Sequence, residues 1–263
     1  MKIVTSVSTA PAVDRLIRGQ LCEGRNLGHG YLRFGTYVVA LTWPGRPRMP
    51  NGIELASRVA LYPGARVVVG EGLLRLPEIQ VAPGKLWNPK PKVRFVPLID
   101  GGTSWLQPSL VGWGPGLTPL GDDVILGYLA GGALFDHAVR PAPRVLPYRT
   151  NQLSTTLLAH AAHGELPEPA HDLIARGDIR TLLRFGHTSG KAILIGLAAA
   201  AVDCGVHPQD EPTKVRPVTL PLPYTMRTFT VSLYRWTQGS RDLAQSNRTS
   251  SSDQLVRASS RGS

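Results

Sequence analysis

A glycine-rich stretch near the middle of the chain is the feature that most constrains its fold. Residues 112–123 read GWGPGLTPLGDD, and an apolar run over residues 124–135 follows directly. Glycine permits positive φ and close approach of another group, whereas proline fixes φ and removes a hydrogen-bond donor. Asp122 or Asp123 suits the start of a helix, where a carboxylate meets the positive end of the helix dipole. The stretch therefore predicts a shaped loop that leads into a buried helix.

The same loop is a candidate ligand site. Its backbone N–H groups at Gly114, Gly116, Thr118 and Gly121 can face an anion, and its carboxylates can face a cation. The stretch lacks the Gly-Lys-Ser/Thr ending of a Walker loop, and it is not a dinucleotide fingerprint after a clear strand. An ordinary loop with a helix cap also explains a Gly-Asp-Asp sequence, so spacing alone leaves its chemistry open.

A second polar cluster, GHTSG over residues 186–190, also precedes an apolar run. The free N–H groups and hydroxyls of Thr188, Ser189 and Gly190 would suit an oxyanion. His187 is the histidine that we nominate as an acid, a base or an orienting donor. The alternative is a helix cap next to a packed histidine, and the residues alone do not separate the two.

The order of elements predicts an α+β fold with a β-rich N-terminal half and a mainly helical C-terminal half. Turn signals separate short strands in the first half, among them Asn51-Gly52, a hairpin-type dipeptide that we interpret as a turn. Helical spacing replaces them in the second half. The predicted strands are 31–41, 53–61, 65–70, 79–81 and 228–236, and the predicted helices are 124–135, 151–162, 172–185 and 191–202.

Composition shifts divide the chain into four regions. Residues 1–97 form the β-rich region, and residues 98–203 form the helical region with both polar motifs. Residues 204–239 are proline-rich, which predicts an irregular extension with one last strand. Residues 240–263 are rich in serine and arginine with little to bury, which predicts a disordered tail.

Length, cysteine content and hydropathy indicate a globular protein without a membrane-spanning segment. At 263 residues the chain has ample length for a core. No apolar run reaches transmembrane length, and no long apolar segment near the N-terminus indicates a signal peptide. Cys22 and Cys204 stand far apart, which predicts neither a disulfide framework nor a cysteine-based zinc site. We therefore expect a cytoplasmic protein that is not associated with a membrane.

The formal net charge of +11 raises the question of nucleic-acid binding. The basic residues are scattered, mostly as single arginines, with no Lys/Arg block and no alternation with aromatic residues. An enzyme that binds small anions explains the charge as well, so we expect a small anionic substrate rather than nucleic acid.

A third group of residues has the spacing of a metal pair. His160 and His163 are three residues apart, and Glu165 follows. This is not the His-Glu-x-x-His pattern, and no third ligand is obvious. A solvated helix end is the favoured interpretation.

Taken together, these motifs resemble a known family. Residues 114–123 are similar to the signature GPGLTPSGDD of the AllH-type oxamate carbamoyltransferase subunit, a bacterial family first catalogued as a domain of unknown function. The segments 149–150, 153–164 and 186–190 follow in the order that this family shows. Weaker landmarks lie at 49–53 and 87–89, so the resemblance covers about residues 20 to 202.

The resemblance implies carbamoyl-group chemistry in the breakdown of allantoin, a purine-nitrogen compound. Oxalurate and phosphate would be converted to oxamate and carbamoyl phosphate, or the reverse, with two partner proteins of the same pathway. Leu120 stands where the family commonly has serine, and the segment after residue 203 has no recognised counterpart. These departures suggest either an altered substrate or, through the missing hydroxyl, lost activity.

Carbamoyl transfer needs donors for a developing oxyanion and a cradle for phosphate, which suggests roles for the motif residues. Arg149 would hold a carboxylate or phosphate, and His187 would donate to the carbonyl oxygen or move a proton. Asp122 and Asp123 would orient the loop, bind Mg²⁺ or act as base. Because adjacent residues at a helix start point in different directions, one catalytic and one structural aspartate are expected rather than a catalytic pair.

Two other functions stay open at this point. The chain would be a non-catalytic ligand-binding or assembly subunit if the chemistry needs its partners. It would be a divergent paralogue if the same pocket serves another small carboxylic acid.

Overall fold

The computed structural model describes residues 2–135, 149–206, 211–215, 217–223 and 225–236. The tail over 240–263, for which we predict disorder, lies outside these residues. Within the described part, strands dominate the N-terminal half and helices the C-terminal half, which confirms the α+β prediction.

The N-terminal half is a curved ten-stranded sheet with one helix, α1 (Pro11–Arg18). The strand order is β1-β9-β8-β7-β3-β4-β5-β6-β2-β10. Because β1 and β2 are successive parts of one segment but lie near opposite ends of this order, the sheet curls into a barrel-like form. The strands are β1 (Lys2–Thr5), β2 (Ser8–Thr9), β3 (Cys22–Gly28), β4 (Tyr31–Phe34), β5 (Tyr37–Thr42), β6 (Gly52–Glu54), β7 (Arg66–Gly70), β8 (Leu73–Arg75), β9 (Ile79–Ala82) and β10 (Lys85–Leu86).

Strand β5 is the wall between two hydrophobic cores. Successive side chains of a strand point to opposite faces. Val39 and Leu41 lie in the core inside the barrel, together with Val13 and Ile17 of α1. Val38 and Ala40 lie in the second core, which the helices of the C-terminal half fill. This alternation is why β5 is buried along nearly its whole length.

The C-terminal half contains five helices and two small antiparallel sheets in its described part. One sheet has the order β11-β15-β12, and the other pairs β13 with β14. The elements are β11 (Phe95–Ile99), a 3₁₀ turn (Pro108–Leu110), α2 (Leu120–Leu134), α3 (Gln152–Ala161), α4 (Glu168–Arg176), α5 (Ile179–Leu183), α6 (Ser189–Asp203), β12 (Thr213–Lys214), β13 (Val218–Leu222), β14 (Thr225–Phe229) and β15 (Val231–Arg235).

Helices α2 and α6 form the centre of this half and are apolar on nearly every side. A helix of that kind must be buried all round. Their backbones meet at glycines: a Cβ added to Gly127 would lie 2.2 Å from the Ile193 carbonyl oxygen, and one added to Gly196 would lie 2.0 Å from the Val124 carbonyl oxygen. Further along, the same test at Gly131 meets the Ala200 side chain. Ser189 at the start of α6 contacts Asp123 at the start of α2, and Gly131 meets Ala200 late in both helices, so the two helices run parallel.

Helix α3 also runs parallel to α2. Thr150, just before α3, donates a hydrogen bond to Asp122 at the start of α2. Gly164, just after α3, lies against the Leu134 side chain at the end of α2. The starts of α2, α3 and α6 are therefore at the same end of the helical layer, and this arrangement positions the candidate site.

Asn51-Gly52 lies in a turn, as predicted, and the Gly52 N–H donates to the Met49 carbonyl oxygen at 2.8 Å. The turn does not close a hairpin, because the flanking strands β5 and β6 pair in parallel. Instead, Asn51 is fully buried and its Nδ2 atom donates to the Val38 carbonyl oxygen at 2.7 Å. The strand predicted over 53–61 ends at Glu54. The imperfect alternation over residues 55–61 belongs to a loop rather than to a longer pleated strand.

The segment after Cys204 is more regular than its proline content indicated. Val218, Leu220 and Leu222 of β13 are buried, and they alternate with exposed residues. Pro221 is exposed within this two-stranded sheet, where a missing N–H is tolerated because edge strands need fewer ladder bonds. The last predicted strand, 228–236, corresponds to the end of β14 and to β15.

Replacement of Gly196 by alanine tests the helix contact. Alanine is the better helix former by about 1 kcal/mol, but its methyl group would meet a backbone carbonyl that cannot move aside. Overpacking of this kind typically costs about 1–3 kcal/mol and occasionally more. With so short a contact we expect Gly196→Ala to lower the free energy of unfolding by about 2 kcal/mol, measured by urea denaturation.

Gly102→Ala is the matched control, because no atom lies within 4 Å of the added Cβ and Gly102 does not have a positive φ. Equal stability of Gly196→Ala and the wild type would contradict the close parallel packing of α2 and α6.

Candidate functional site

The candidate site lies where the N-termini of α2, α3 and α6 converge. The two glycine-containing motifs lie directly before α2 and α6, and Asn151 caps α3 by accepting the Ser154 N–H at 2.9 Å. The Asn151 side chain also donates to the Leu117 carbonyl oxygen at 2.9 Å, which ties α3 to the loop before α2. Each N-terminus carries a partial positive charge and N–H groups without partners inside the helix. Their convergence produces a local field that favours anions.

Asp122 holds the loop in place. Its carboxylate is only 2% exposed, and it accepts the Gly112 N–H at 2.8 Å and the Thr150 hydroxyl. These bonds connect the loop before α2 to the segment before α3. Asp122 thus has a structural role in the described part of the chain, with both carboxylate oxygens engaged.

Asp123 lies on the α6 side of the same turn and is 3% exposed. The Thr118 hydroxyl donates to its Oδ2 atom at 3.2 Å. The pKa of Asp123 is raised to about 7. Burial is the main cause and the charge of Asp122 adds to it, whereas hydrogen bonds from the Ser189 and Thr118 hydroxyls act in the opposite direction. A carboxyl with this pKa can give and take a proton near neutral pH. The hydroxyl of Ser189 also joins the two motifs, which lie some sixty-five residues apart in the sequence.

The loop before α2 depends on glycine at two points of close approach. A Cβ on Gly112 would lie 1.9 Å from the Arg149 carbonyl oxygen, and one on Gly121 would lie 1.8 Å from the Leu110 carbonyl oxygen. Gly114 and Gly116 both have positive φ values. The loop is therefore a fixed shape rather than a flexible connector.

The predicted amide donors divide into two groups. The Gly121 N–H donates to the Trp113 carbonyl oxygen and the Gly190 N–H to the Phe185 carbonyl oxygen, each at 2.9 Å. These two amides are engaged and cannot also bind an anion. Among the described residues, the N–H groups of Gly114, Gly116 and Thr118 have no such partner, so they are the amide donors that the loop can offer.

The other predicted site residues lie at the rim. Thr188 is the N-cap position of α6, and its side chain makes no capping hydrogen bond. His187 is exposed beside it, and Arg149 is exposed at the start of the α3 segment. Within the part of the chain that the structure describes, neither His187 nor Arg149 forms an ion pair. Their positions allow contact with a ligand or another protein, but their own contacts do not fix a role.

The structure adds Tyr31 and Arg46 to the surroundings of the site. Burial raises the pKa of Tyr31, the charge of Arg46 lowers it in part, and the charge of Asp123 raises it. Tyr31 of β4 thus lies within electrostatic range of both Asp123 and Arg46. These residues carry no functional signal in the sequence, because they belong to the barrel half and lie far from both motifs.

The structure excludes the predicted solvated helix end for His160. This histidine is 7% exposed and lies between the Tyr37 hydroxyl, 2.8 Å from its Nε2 atom, and Glu165, 2.5 Å from its Nδ1 atom. It connects α3 to β5 of the barrel. No group of three His, Cys, Asp or Glu residues in the described ranges has the arrangement of a metal site.

Replacement of Asp123 by asparagine tests the buried carboxyl. The native pKa of about 7 exceeds the ordinary value of 3.8, so between these values the native state holds a proton that the unfolded state has lost. Stability contributed by this group is therefore present at low pH and is lost as the pH rises through about 7. Asparagine removes this dependence.

We expect the free energy of unfolding of the wild type, relative to that of Asp123→Asn, to fall by about 2.5 kcal/mol between pH 5 and pH 8. Urea denaturation at several pH values measures it, with Asp14→Asn on α1 as a control for a general loss of charge. A difference that stays constant over this pH range would show that Asp123 titrates normally.

Comparison with known proteins finds a similarity in the segment that carries the site. No helix in the described residues has the length and apolar character to cross a membrane. No curated protein and no solved structure matches the chain significantly. A family model does match over residues 110–201, a range that contains both motifs and all three helix starts but not the landmarks at 49–53 and 87–89. That family is described as the oxamate carbamoyltransferase subunit AllH.

Proposed function

We propose that the chain is a subunit of an enzyme that transfers a carbamoyl group between phosphate and oxamate. One observation carries this proposal. The segment that matches the AllH family, residues 110–201, is the segment that brings three helix N-termini around Asp123. The site thus combines an anion-favouring field with a carboxyl whose pKa is about 7. Phosphate-dependent carbamoyl transfer can use the field to bind phosphate and the carboxyl to move a proton.

The proposed reaction forms one O–C bond, breaks one C–N bond and moves one proton. A phosphate oxygen attacks the carbamoyl carbon of oxalurate, the C–N bond to the oxamate part breaks, and carbamoyl phosphate forms. The proton of hydrogen phosphate ends on the nitrogen of oxamate, so charge and atoms balance. The tetrahedral intermediate carries negative charge on the carbamoyl oxygen, which needs preorganised donors.

The helix N-termini would supply these donors. The N–H groups of Gly114 and Gly116 point to no protein acceptor in the described residues, and the hydroxyls of Thr118 and Ser189 flank Asp123. Anions at such helix starts gain from both hydrogen bonds and the dipole field. In our proposal the phosphate group lies here, and Thr188 adds a hydroxyl at its edge.

Asp123 would move the proton. In the neutral form its carboxyl can donate to the departing nitrogen, and in the ionised form it can accept the proton of phosphate. Asp122 would keep the loop in shape, because its oxygens already accept protein hydrogen bonds. This division matches the expectation of one catalytic and one structural aspartate. His187 and Arg149, both exposed at the rim, would contact the substrate from the solvent side.

The Asp122–Asp123 pair does not fit a Mg²⁺ ion. Mg²⁺ needs near-octahedral oxygen ligands, whereas both oxygens of Asp122 accept hydrogen bonds from Gly112 and Thr150. Asp123 already accepts from two hydroxyls. We therefore propose no step through a metal ion.

The description of the family as a subunit supports partner proteins for this chain. His187 and Arg149 are exposed beside the site, so a partner could cover it there and complete the substrate pocket. The same exposure supports the alternative, a ligand-binding or assembly subunit that is inactive alone. Binding without turnover by the isolated chain, and turnover only with partners, would favour that alternative.

The pH dependence of carbamoyl phosphate binding tests the proposed function. The neutral form of Asp123 does not repel an anion bound nearby, whereas the ionised form does. With a pKa of about 7, we expect the wild-type affinity to fall by about tenfold from pH 6 to pH 8, beyond any change in the ligand. Isothermal titration calorimetry at four pH values measures it.

Asp123→Asn is the matched variant, since it keeps a neutral side chain and reports the ligand's own titration. It should bind carbamoyl phosphate with little pH dependence and support no transfer. Identical pH profiles for both proteins, or no binding of carbamoyl phosphate by the wild type, would overturn the assignment of the site.

A further inference from the structure

A cavity of about 480 Å³ lies next to the turn before α6. Its volume is in the range of small-molecule sites. It reaches from the loop after β5 to α4 and α5, so both halves of the fold contribute to it. The lining residues that bear on its chemistry are Arg46, Glu168, Asp172, Thr181, Arg184 and Gly186.

The acidic residues of this cavity already have cationic partners outside it. Glu168 accepts hydrogen bonds from the Arg48 guanidinium at 2.5 and 3.0 Å. Asp172 lies 3.5 Å from the Arg176 guanidinium and 3.2 Å from the His171 ring nitrogen. Glu168 is thus paired with Arg48, and Asp172 with Arg176, and neither arginine lines the cavity.

The two arginines of the cavity have no such compensation. In the described part of the chain, neither Arg46 nor Arg184 forms an ion pair within 4 Å. The carboxylate of Asp178 acts on Arg184 only through its longer-range field. Because the wall acids are paired elsewhere, the cavity carries an excess of positive charge.

Both arginines are also held in position. The Arg46 guanidinium lies over the Trp43 ring, 4.4 Å from its centroid, and donates to the His29 carbonyl oxygen at 2.9 Å. The Nε atom of Arg184 donates to the Arg180 carbonyl oxygen at 3.3 Å. A guanidinium that is oriented in advance loses less entropy on binding a carboxylate.

The cavity adjoins the candidate site through Gly186. A Cβ added to Gly186 would lie 3.2 Å from the Ser189 Oγ atom, and the Ser189 hydroxyl donates to Asp123. Ser189 is therefore the residue that lies between Gly186 of the cavity wall and Asp123.

We propose that this cavity is a second anion site that binds the carboxylate of a small amide acid through Arg46 and Arg184. The acid lies with its carboxylate in the cavity and its amide end over Gly186, facing Ser189. This inference rests on the proposed function, because it assigns one end of that substrate to a place of its own. The phosphate would lie at the helix N-termini and the carboxylate between the arginines.

Oxamate and its neutral analogue oxamide test this site directly, since they differ only in the carboxylate. We expect the wild type to bind oxamate at least tenfold more tightly than oxamide, measured by isothermal titration calorimetry. The reason is that hydrogen bonds to a charged group are worth about one to two orders of magnitude in affinity. Arg46→Gln and Arg184→Gln should each weaken oxamate binding about tenfold. Arg184→Gln should change carbamoyl phosphate binding by less than about threefold.

Arg180→Gln is the matched control, because Arg180 is exposed one turn away on α5 and only its backbone contacts Arg184. Thermal unfolding verifies that each variant is folded. Equal weakening by all three substitutions, or equal affinity of the wild type for oxamate and oxamide, would overturn the cavity assignment.

The outcomes also separate this inference from the proposed function. Binding of carbamoyl phosphate without binding of oxamate would overturn the cavity assignment and leave the helix N-termini as the transfer site. Arginine-dependent binding of oxamate without binding of carbamoyl phosphate would support the cavity and count against the proposed function. Binding of neither ligand by the wild type would count against both.

Discussion

The close parallel contact between α2 and α6 is the constraint on which the rest of the helical half depends. Two helices approach this closely only where glycine leaves room, and Gly127 and Gly196 are at the contact. Parallel packing has an electrostatic cost, since dipole ends of equal sign lie side by side. Nearly complete burial of both helices offsets it. The packing therefore holds the positive N-terminal ends of α2, α6 and α3 close together.

The carboxyl groups of Asp122 and Asp123 lie side by side but have different surroundings. A helix start favours the ionised form of a carboxylate, and burial favours the neutral form. For Asp123 burial dominates, so that the pKa is raised to about 7 despite two hydroxyl donors. Asp122 instead accepts a backbone N–H and the Thr150 hydroxyl, and it acts as a connector. Adjacent residues of one sequence motif thus have different surroundings because their side chains leave the helix in different directions.

Sequence reasoning recovered those features that depend on local chemistry. The α+β order, the buried helices and the loop before α2 follow from turn residues and apolar runs that lie next to each other in the chain. It failed where partners are distant. With β5 and β6 paired in parallel, Asn51 is a buried residue, whereas the sequence indicated only a turn there. His160 was interpreted as solvated because Tyr37, its partner on β5, is over a hundred residues away.

The serine-to-leucine departure in the loop can be interpreted in the same physical terms. Leu120 is 3% exposed and belongs to the second core, with its Cβ atom near Gly114. A hydroxyl at this position would point into apolar packing or toward the loop backbone, not into the space between Asp123 and Ser189. Leucine at this position therefore contributes to core packing and leaves Asp123 and the hydroxyls of Thr118 and Ser189 unchanged. A change in substrate, if there is one, is better sought among residues that line the way to Asp123, and these come in part from the barrel half.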